Sequence, residues 1–224
     1  MGSSKKGDKK SWNRPTGSFI QKMKLFSKGE SENIGRPPGD LVFTGEKRTE
    51  KITIDLIVYD GDRFSEGEVK DVIKALQGTS KDTVTWININ GLHDVELLGR
   101  IVEYMGIHPL VMEDIINTDQ RPKVEVYDDY LFVVLRMLYY NTNGNDIQNE
   151  QVSILLCKDC LLTFQEYKGD VFEPIRDRIR KNKGRIRKMK TDYLAYSLID
   201  AVVDNYFSLL EAAGDRIETI EKEL

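Results

Sequence analysis

Apolar and polar positions alternate or cluster along the chain in a way that marks out most of its elements. Strand signals start at residues 41–43. The run at residues 52–59 (ITIDLIVY) is β-branched and partly alternating, and Gly61 closes it. Residues 66–77 (EGEVKDVIKALQ) place Val69, Val72, Ile73 and Leu76 on one helical face, with Gly78 as the stop. Residues 83–89 (TVTWINI) read as a second strand. Asp94 then caps a helix that reaches Tyr104 and stops at Gly106, with Val95, Leu98, Ile101 and Val102 inward. His108-Pro109 opens a short helix to about Asn117, because proline fits the first helical position. Strands follow at 130–140 and 151–157, and 160–164 returns through a tight Lys158-Asp159 turn. Residues 170–182 are helical, and a long helix begins near Thr191.

Helices interleave with strands, strands then pair, and helices dominate at the end. That order predicts an α/β domain with a mixed sheet, followed by a long helix. Residues 1–36 read as a flexible basic arm, residues 37–190 as the α/β domain and residues 191–224 as a long acidic amphipathic helix.

The 224 residues are 40% hydrophobic and 31% charged, a composition for folding rather than disorder. The longest apolar runs are five residues, as at 131–135, far short of the roughly 18 that a membrane helix needs. No apolar stretch follows MGSSKKGDKK as a secretory signal would require. Two cysteines form no disulfide framework and suggest a reducing compartment.

The net charge of −4 is unevenly spread. Residues 1–28 carry eight Lys/Arg and one Asp; residues 176–190 carry nine Lys/Arg and one Asp; residues 192–224 hold eight acids against two bases. In the last helix Ala195, Ile199, Val202, Tyr206, Leu210, Ala213, Ile217, Ile220 and Leu224 form an apolar stripe. Asp200, Asp204, Glu211, Asp215 and Glu218 line another side. Like charges at this spacing repel, and a divalent cation would relieve them, as would plain solvation. In HPLVMEDIIN, Leu110, Val111, Met112, Ile115 and Ile116 share the buried side, while Glu113, Asp114 and Asn117 share the exposed one. Three oxygen-bearing side chains suit a hard cation such as Mg²⁺ or Ca²⁺.

Other chemistry has less to stand on. Cys157 and Cys160 form a CxxC across a hairpin, without a second pair to complete a zinc site. His93 and His108 sit beside helix starts and read as caps. No nucleophile elbow or phosphate-cradling glycine loop is present, so the chain is read as a non-enzyme. The basic block is dense but lacks aromatic interleaving, leaving nucleic-acid or anionic-membrane binding as the alternative class.

Seven stretches together resemble the N-terminal cytoplasmic domain of CorA-type magnesium transporters: PPGDLVFTG, TWININGLHD, GIHPLVMEDII, QRPKVEVYDDYLFVVLRM, EQVSILLCKDCLLTFQE, GDVFEPIRDRIRKNKGRIRK and DYLAYSLIDAVVDNY. They run in family order from about residue 37. The resemblance implies a mixed sheet of about seven strands sandwiched between helix layers. A stalk and two membrane spans would follow, with a Gly-Met-Asn signature after the first, in a homopentamer at the inner face of the cell membrane. It implies regulatory Mg²⁺ between neighbouring subunits, favouring the closed state, with Co²⁺ or Ca²⁺ as substitute ions. The implied ligands are Glu113, Asp114 and Asp200, with Asp204, Glu211 and the Arg36 backbone carbonyl as further candidates. Partners would be other copies, divalent cations and the membrane, with no nucleic acid; Co²⁺, Ni²⁺ or Zn²⁺ transport is the alternative within the family.

Overall fold

A computed structural model describes residues 49–140 and 147–223. The expected basic arm, the strand at 41–43 and Arg36 lie outside them. Seven strands form one mixed sheet: β1 (Thr53–Tyr59), β2 (Phe64–Glu68), β3 (Val84–Asn90), β4 (Lys123–Val126), β5 (Tyr130–Tyr140), β6 (Ile147–Cys157) and β7 (Cys160–Gln165). Their order is β2-β1-β3-β7-β6-β5-β4. Among the described residues only β3 and β7 pair in parallel. Among the described residues the α-helices are α1 (Val72–Gln77), α2 (Val95–Met105), α3 (Pro109–Ile116), α4 (Glu173–Arg180) and α5 (Thr191–Glu223).

Strand alternation divides the core in two. On one face, Ile87, Ile89, Phe132, Val134, Leu155, Leu162 and Phe164 meet α1, α2 and α3 through Val72, Leu76, Leu98, Ile101, Met112 and Ile115. On the other, Trp86, Val133, Met137, Val152, Ile154 and Leu161 meet α4 and α5 through Ile175, Ile179, Leu194, Leu198 and Val202. The layered expectation is therefore met.

Local signals behave as their chemistry requires. Asp94 accepts from the Leu97 N–H, and Gly106 closes α2 at φ 64°, a left-handed conformation suited to glycine. His108 Nδ1 accepts from the Leu110 N–H at the start of α3. Cys157 and Cys160 flank a two-residue turn as free thiols.

Two departures concern the sheet edges. Residues 66–68 belong to β2, not to a helix; the helix starts only after Asp71, whose carboxylate accepts from the Ile73 and Lys74 N–H groups. β4 carried no predicted strand. Both are short edge strands: β2 is mostly polar, and the four residues of β4 are too few for their alternation to mark a strand. A third departure concerns α5. Its apolar stripe is covered only in the first half: Ala195 and Val202 are buried, whereas Leu210, Ile217 and Ile220 are exposed. No described helix is long and apolar enough to cross a membrane.

The basic block is largely consumed within the fold. Arg176 makes a two-pronged bond to Asp170 and lies 5.0 Å from the Trp86 ring centroid. Arg180 bonds Glu66 and Glu173. Arg187 donates to the Ile179 and Arg180 carbonyls at the end of α4. Lys181 and Lys183 pair with Asp177.

Glu150 is fully buried on β6 and accepts from the Glu166 and Tyr167 backbone N–H groups. Burial outweighs these bonds and pushes its pKa from 4.5 up to about 8. The folded state thus holds a proton that the unfolded chain releases above about pH 4.5. Stability falls as pH rises between these two values. Replacing Glu150 with Gln should flatten that part of the stability profile, measured by urea unfolding between pH 5 and 8. An unchanged slope would show that Glu150 is ionised in the fold.

Candidate metal centre

Helix α3 positions the paired acids. Val111, Met112, Ile115 and Ile116 bury against the sheet, which turns Glu113 and Asp114 away from the core centre. Contrary to the wheel expectation, Leu110 is 43% exposed, and the two acids are half-buried rather than open. The end of α3 is pinned by Gln151, a buried side chain from β6. Its Nε2 donates to the Asp114 carbonyl at 3.0 Å, and its Oε1 accepts from the Gln120 N–H at 3.1 Å. Asn117 ends the helix with its backbone N–H on the Glu113 carbonyl.

Asp114 already holds a cation. Lys123 Nζ lies 2.6 Å from Asp114 Oδ2 and 2.9 Å from Glu125 Oε1. The other Glu125 oxygen accepts from the Tyr127 hydroxyl at 2.9 Å. The Lys123 and Tyr127 bonds hold Glu125 below the usual carboxylate range, although partial burial works against them. Lys123 and Glu125 were not among the residues expected from sequence. The signal lies in KVEV: its charged positions are the half-buried ones, and Val124 and Val126 face out. Reading valines as the inward residues conceals it.

Asp200, Asp204 and Glu211 are exposed on α5. The structure does not bring them to Asp114. α3 packs on one face of the sheet and α5 on the other, so the sheet's thickness separates the two acidic groups within a chain. Among the described residues no group of three or more His, Cys, Asp or Glu side chains converges to hold a metal ion. The Arg36 carbonyl lies outside the described residues.

The donor set still fits a hard cation. Its available atoms are carboxylate oxygens, they are reachable from water, and a lysine ammonium is seated against two of them. Bound Mg²⁺ keeps several waters, so few protein ligands suffice.

The profile of the family described as CorA-like Mg²⁺ transporter protein matches residues 81–224. The chain belongs to this family. The cobalt/magnesium transport protein CorA of Thermotoga maritima is 50% identical over 194 residues, covering 87% of this chain and 55% of that protein. Magnesium transporter ALR1 of Saccharomyces cerevisiae is 30% identical over 127 residues, covering 54% of this chain and 14% of that protein. The chain therefore spans about half the length of the Thermotoga relative and less of the yeast one. The soluble domain of CorA from Methanocaldococcus jannaschii shares the fold at TM-score 0.56 and 18% identity, covering 78% of this chain and 64% of that one. Full-length CmaX does so at TM-score 0.64 and 14% identity, covering 80% and 54%. The CorA family is one of transporters, which accords with the non-enzyme reading.

One substitution tests the Gln151 bridge at the end of α3. Gln151→Leu leaves the Asp114 carbonyl without its buried donor and should cost about 1–3 kcal/mol, read as a lowered urea midpoint. A loss below about 0.5 kcal/mol would mean that the bridge does not hold the end of α3.

Proposed function

We propose that this chain is the cytoplasmic, Mg²⁺-sensing domain of a CorA-type channel that mediates magnesium uptake. The membrane-crossing and pore-forming segments of the whole protein lie outside the 224 residues, and the protein works as a homopentamer. One observation carries the sensing reading: Asp114 and Asp200 occupy opposite faces of one sheet. A cation contacting both must therefore join two copies, α3 of one subunit to α5 of its neighbour.

The residues would act as follows. Asp114 and Glu113 present carboxylate oxygens at one subunit boundary, and Asp200 presents its own from the adjoining α5. Asp204 and Glu211, further along that helix, extend the acidic surface and set the local potential. With the cation bound, charge is neutralised and the packed, closed arrangement gains stability by mass action. With it absent, facing carboxylates repel and the loosened, open arrangement gains population. Mg²⁺ itself supplies the positive charge and an octahedral shell that water completes.

Cobalt is the ion of the second reading, favoured by the name of the Thermotoga relative, which couples cobalt with magnesium. The all-oxygen donor set supports the harder ion. Co²⁺ and Ca²⁺ serve in this reading as substitutes at the same carboxylates. Nucleic-acid binding through residues 176–190 has less support, because Arg176, Arg180 and Arg187 are already engaged by Asp170, Glu66 and the Ile179 carbonyl.

The experiment is limited proteolysis of the full-length protein across a Mg²⁺ titration. The native protein should become protected as Mg²⁺ rises. Asp114→Asn combined with Asp200→Asn should shift the protecting concentration upward by tenfold or more, about 1.4 kcal/mol. Unchanged Mg²⁺-dependent protection in the double variant removes the sensing assignment.

A further inference from the structure

We propose that Lys123 is a built-in competitor at this site: a divalent cation reaches Asp114 and Glu125 only by displacing the Lys123 ammonium, and the two carboxylates then hold it together. The inference rests on the assignment of Asp114 to a cation site made above and adds a ligand, Glu125, and a regulator, Lys123.

The two carboxylates converge on one point, since a single nitrogen is within hydrogen-bonding distance of both. Contacts other than the lysine also place the two carboxylates. Strand alternation in β4 sends Glu125 to the half-buried side. The register pairs Lys123 with Val134 and Glu125 with Phe132, both of which belong to the core face that carries α3. Tyr127 secures the outer oxygen of Glu125, and Gln151 secures the backbone of Asp114. When the ammonium leaves, the carboxylates stay where they are and face each other. That is an arrangement whose repulsion a hard divalent cation relieves, with water filling the remaining positions.

Lys123 can leave. Its side chain is 28% exposed, and those of Asp114 and Glu125 are 22% and 37% exposed. Its four-carbon stem is flexible, and its ammonium lies 5.7 Å from the Phe132 ring centroid, a weak tether. Burial works against the charged lysine, but the bonds to Asp114 and Glu125 outweigh it and raise its pKa. It competes by its charge and its position between the two carboxylates. A partly exposed ion pair is weak, so the competitor lowers affinity without abolishing binding. It also offsets half of the pair's charge when the divalent ion is scarce. Within one subunit, then, the bridging ammonium weakens the repulsion between these two acids in the empty state, and the repulsion that loosens the assembly comes mainly from acids facing across subunits.

The test is isothermal calorimetry of the full-length protein with MgCl₂ at fixed ionic strength. The variants are Lys123→Met, Lys123→Met with Glu125→Gln, and Asp114→Asn, with circular dichroism reporting the fold. Lys123→Met should bind Mg²⁺ roughly three- to tenfold more tightly than the native chain. Adding Glu125→Gln should remove that gain, and Asp114→Asn should weaken binding below native. If Lys123→Met binds no more tightly while Asp114→Asn still weakens binding, the cation site stands and the competition is wrong. If Asp114→Asn leaves binding unchanged, the cation assignment itself fails. Should Lys123→Met not fold, Lys123→Gln keeps the stem length and polarity and carries the same expectations. Absence of Mg²⁺ binding in a folded lysine variant overturns the inference.

Discussion

Every residue of β3 and of β7, from Val84 to Asn90 and from Cys160 to Gln165, is buried. These two strands form the parallel pair at the centre of the sheet. A sheet buried on both faces needs a covering layer on each, and the chain supplies α1, α2 and α3 on one side and α4 and α5 on the other. The separation of the acidic groups follows directly. Asp114 comes with the first layer and Asp200 with the second, so the constraint that builds the core also keeps one chain from closing a cation site on both.

The central strands carry polar groups as well, and Trp86, Asn88 and Thr163 satisfy one another where the strands meet. Trp86 Nε1 donates to Thr163, which is bonded to Asn88. Buried polar contacts of this kind tie the parallel pair in register, because each loses its partner if a strand slips. The same economy holds at the surface of the second layer. Arg176, Arg180 and Arg187 spend their charge on Asp170, Glu66, Glu173 and helix-end carbonyls. A block that looks like a phosphate-binding surface in sequence is a set of struts between α4, β2 and the loop before α4. By contrast, α5 extends past Leu209 with Leu210, Ile217 and Ile220 uncovered and its acids in water.

Lys123 changes how the acidic face is understood. An isolated view of Glu113 and Asp114 suggests open carboxylates waiting for an ion. The structure shows a carboxylate already balanced by an ammonium, on an edge strand whose charged residues point toward the helix. Charge balance at this corner is thus set within the chain, by the pairing of β4 with β5 and the packing of α3.

Much of this protein was determined by its sequence alone. Periodicity located β1, β3, β5, β6, β7 and α2 to within a few residues, because these elements bury one or both faces and must be apolar where they do. Asp94, Gly106 and Pro109 marked helix ends because caps act locally. The family, too, was legible in its motifs, and with it Glu113, Asp114 and Asp200 as residues of interest. Tertiary structure alone decided the rest. β2 and β4 are strands because a neighbour offers them a ladder, not because their own sequences demand it. Glu125 and Lys123 join Asp114 through pairing between β4 and β5 and the packing of α3, contacts that no local pattern encodes. The placement of Asp114 and Asp200 on opposite faces is likewise a property of the layers: a helix's sequence says which side is buried, and only the sheet says where that side lies.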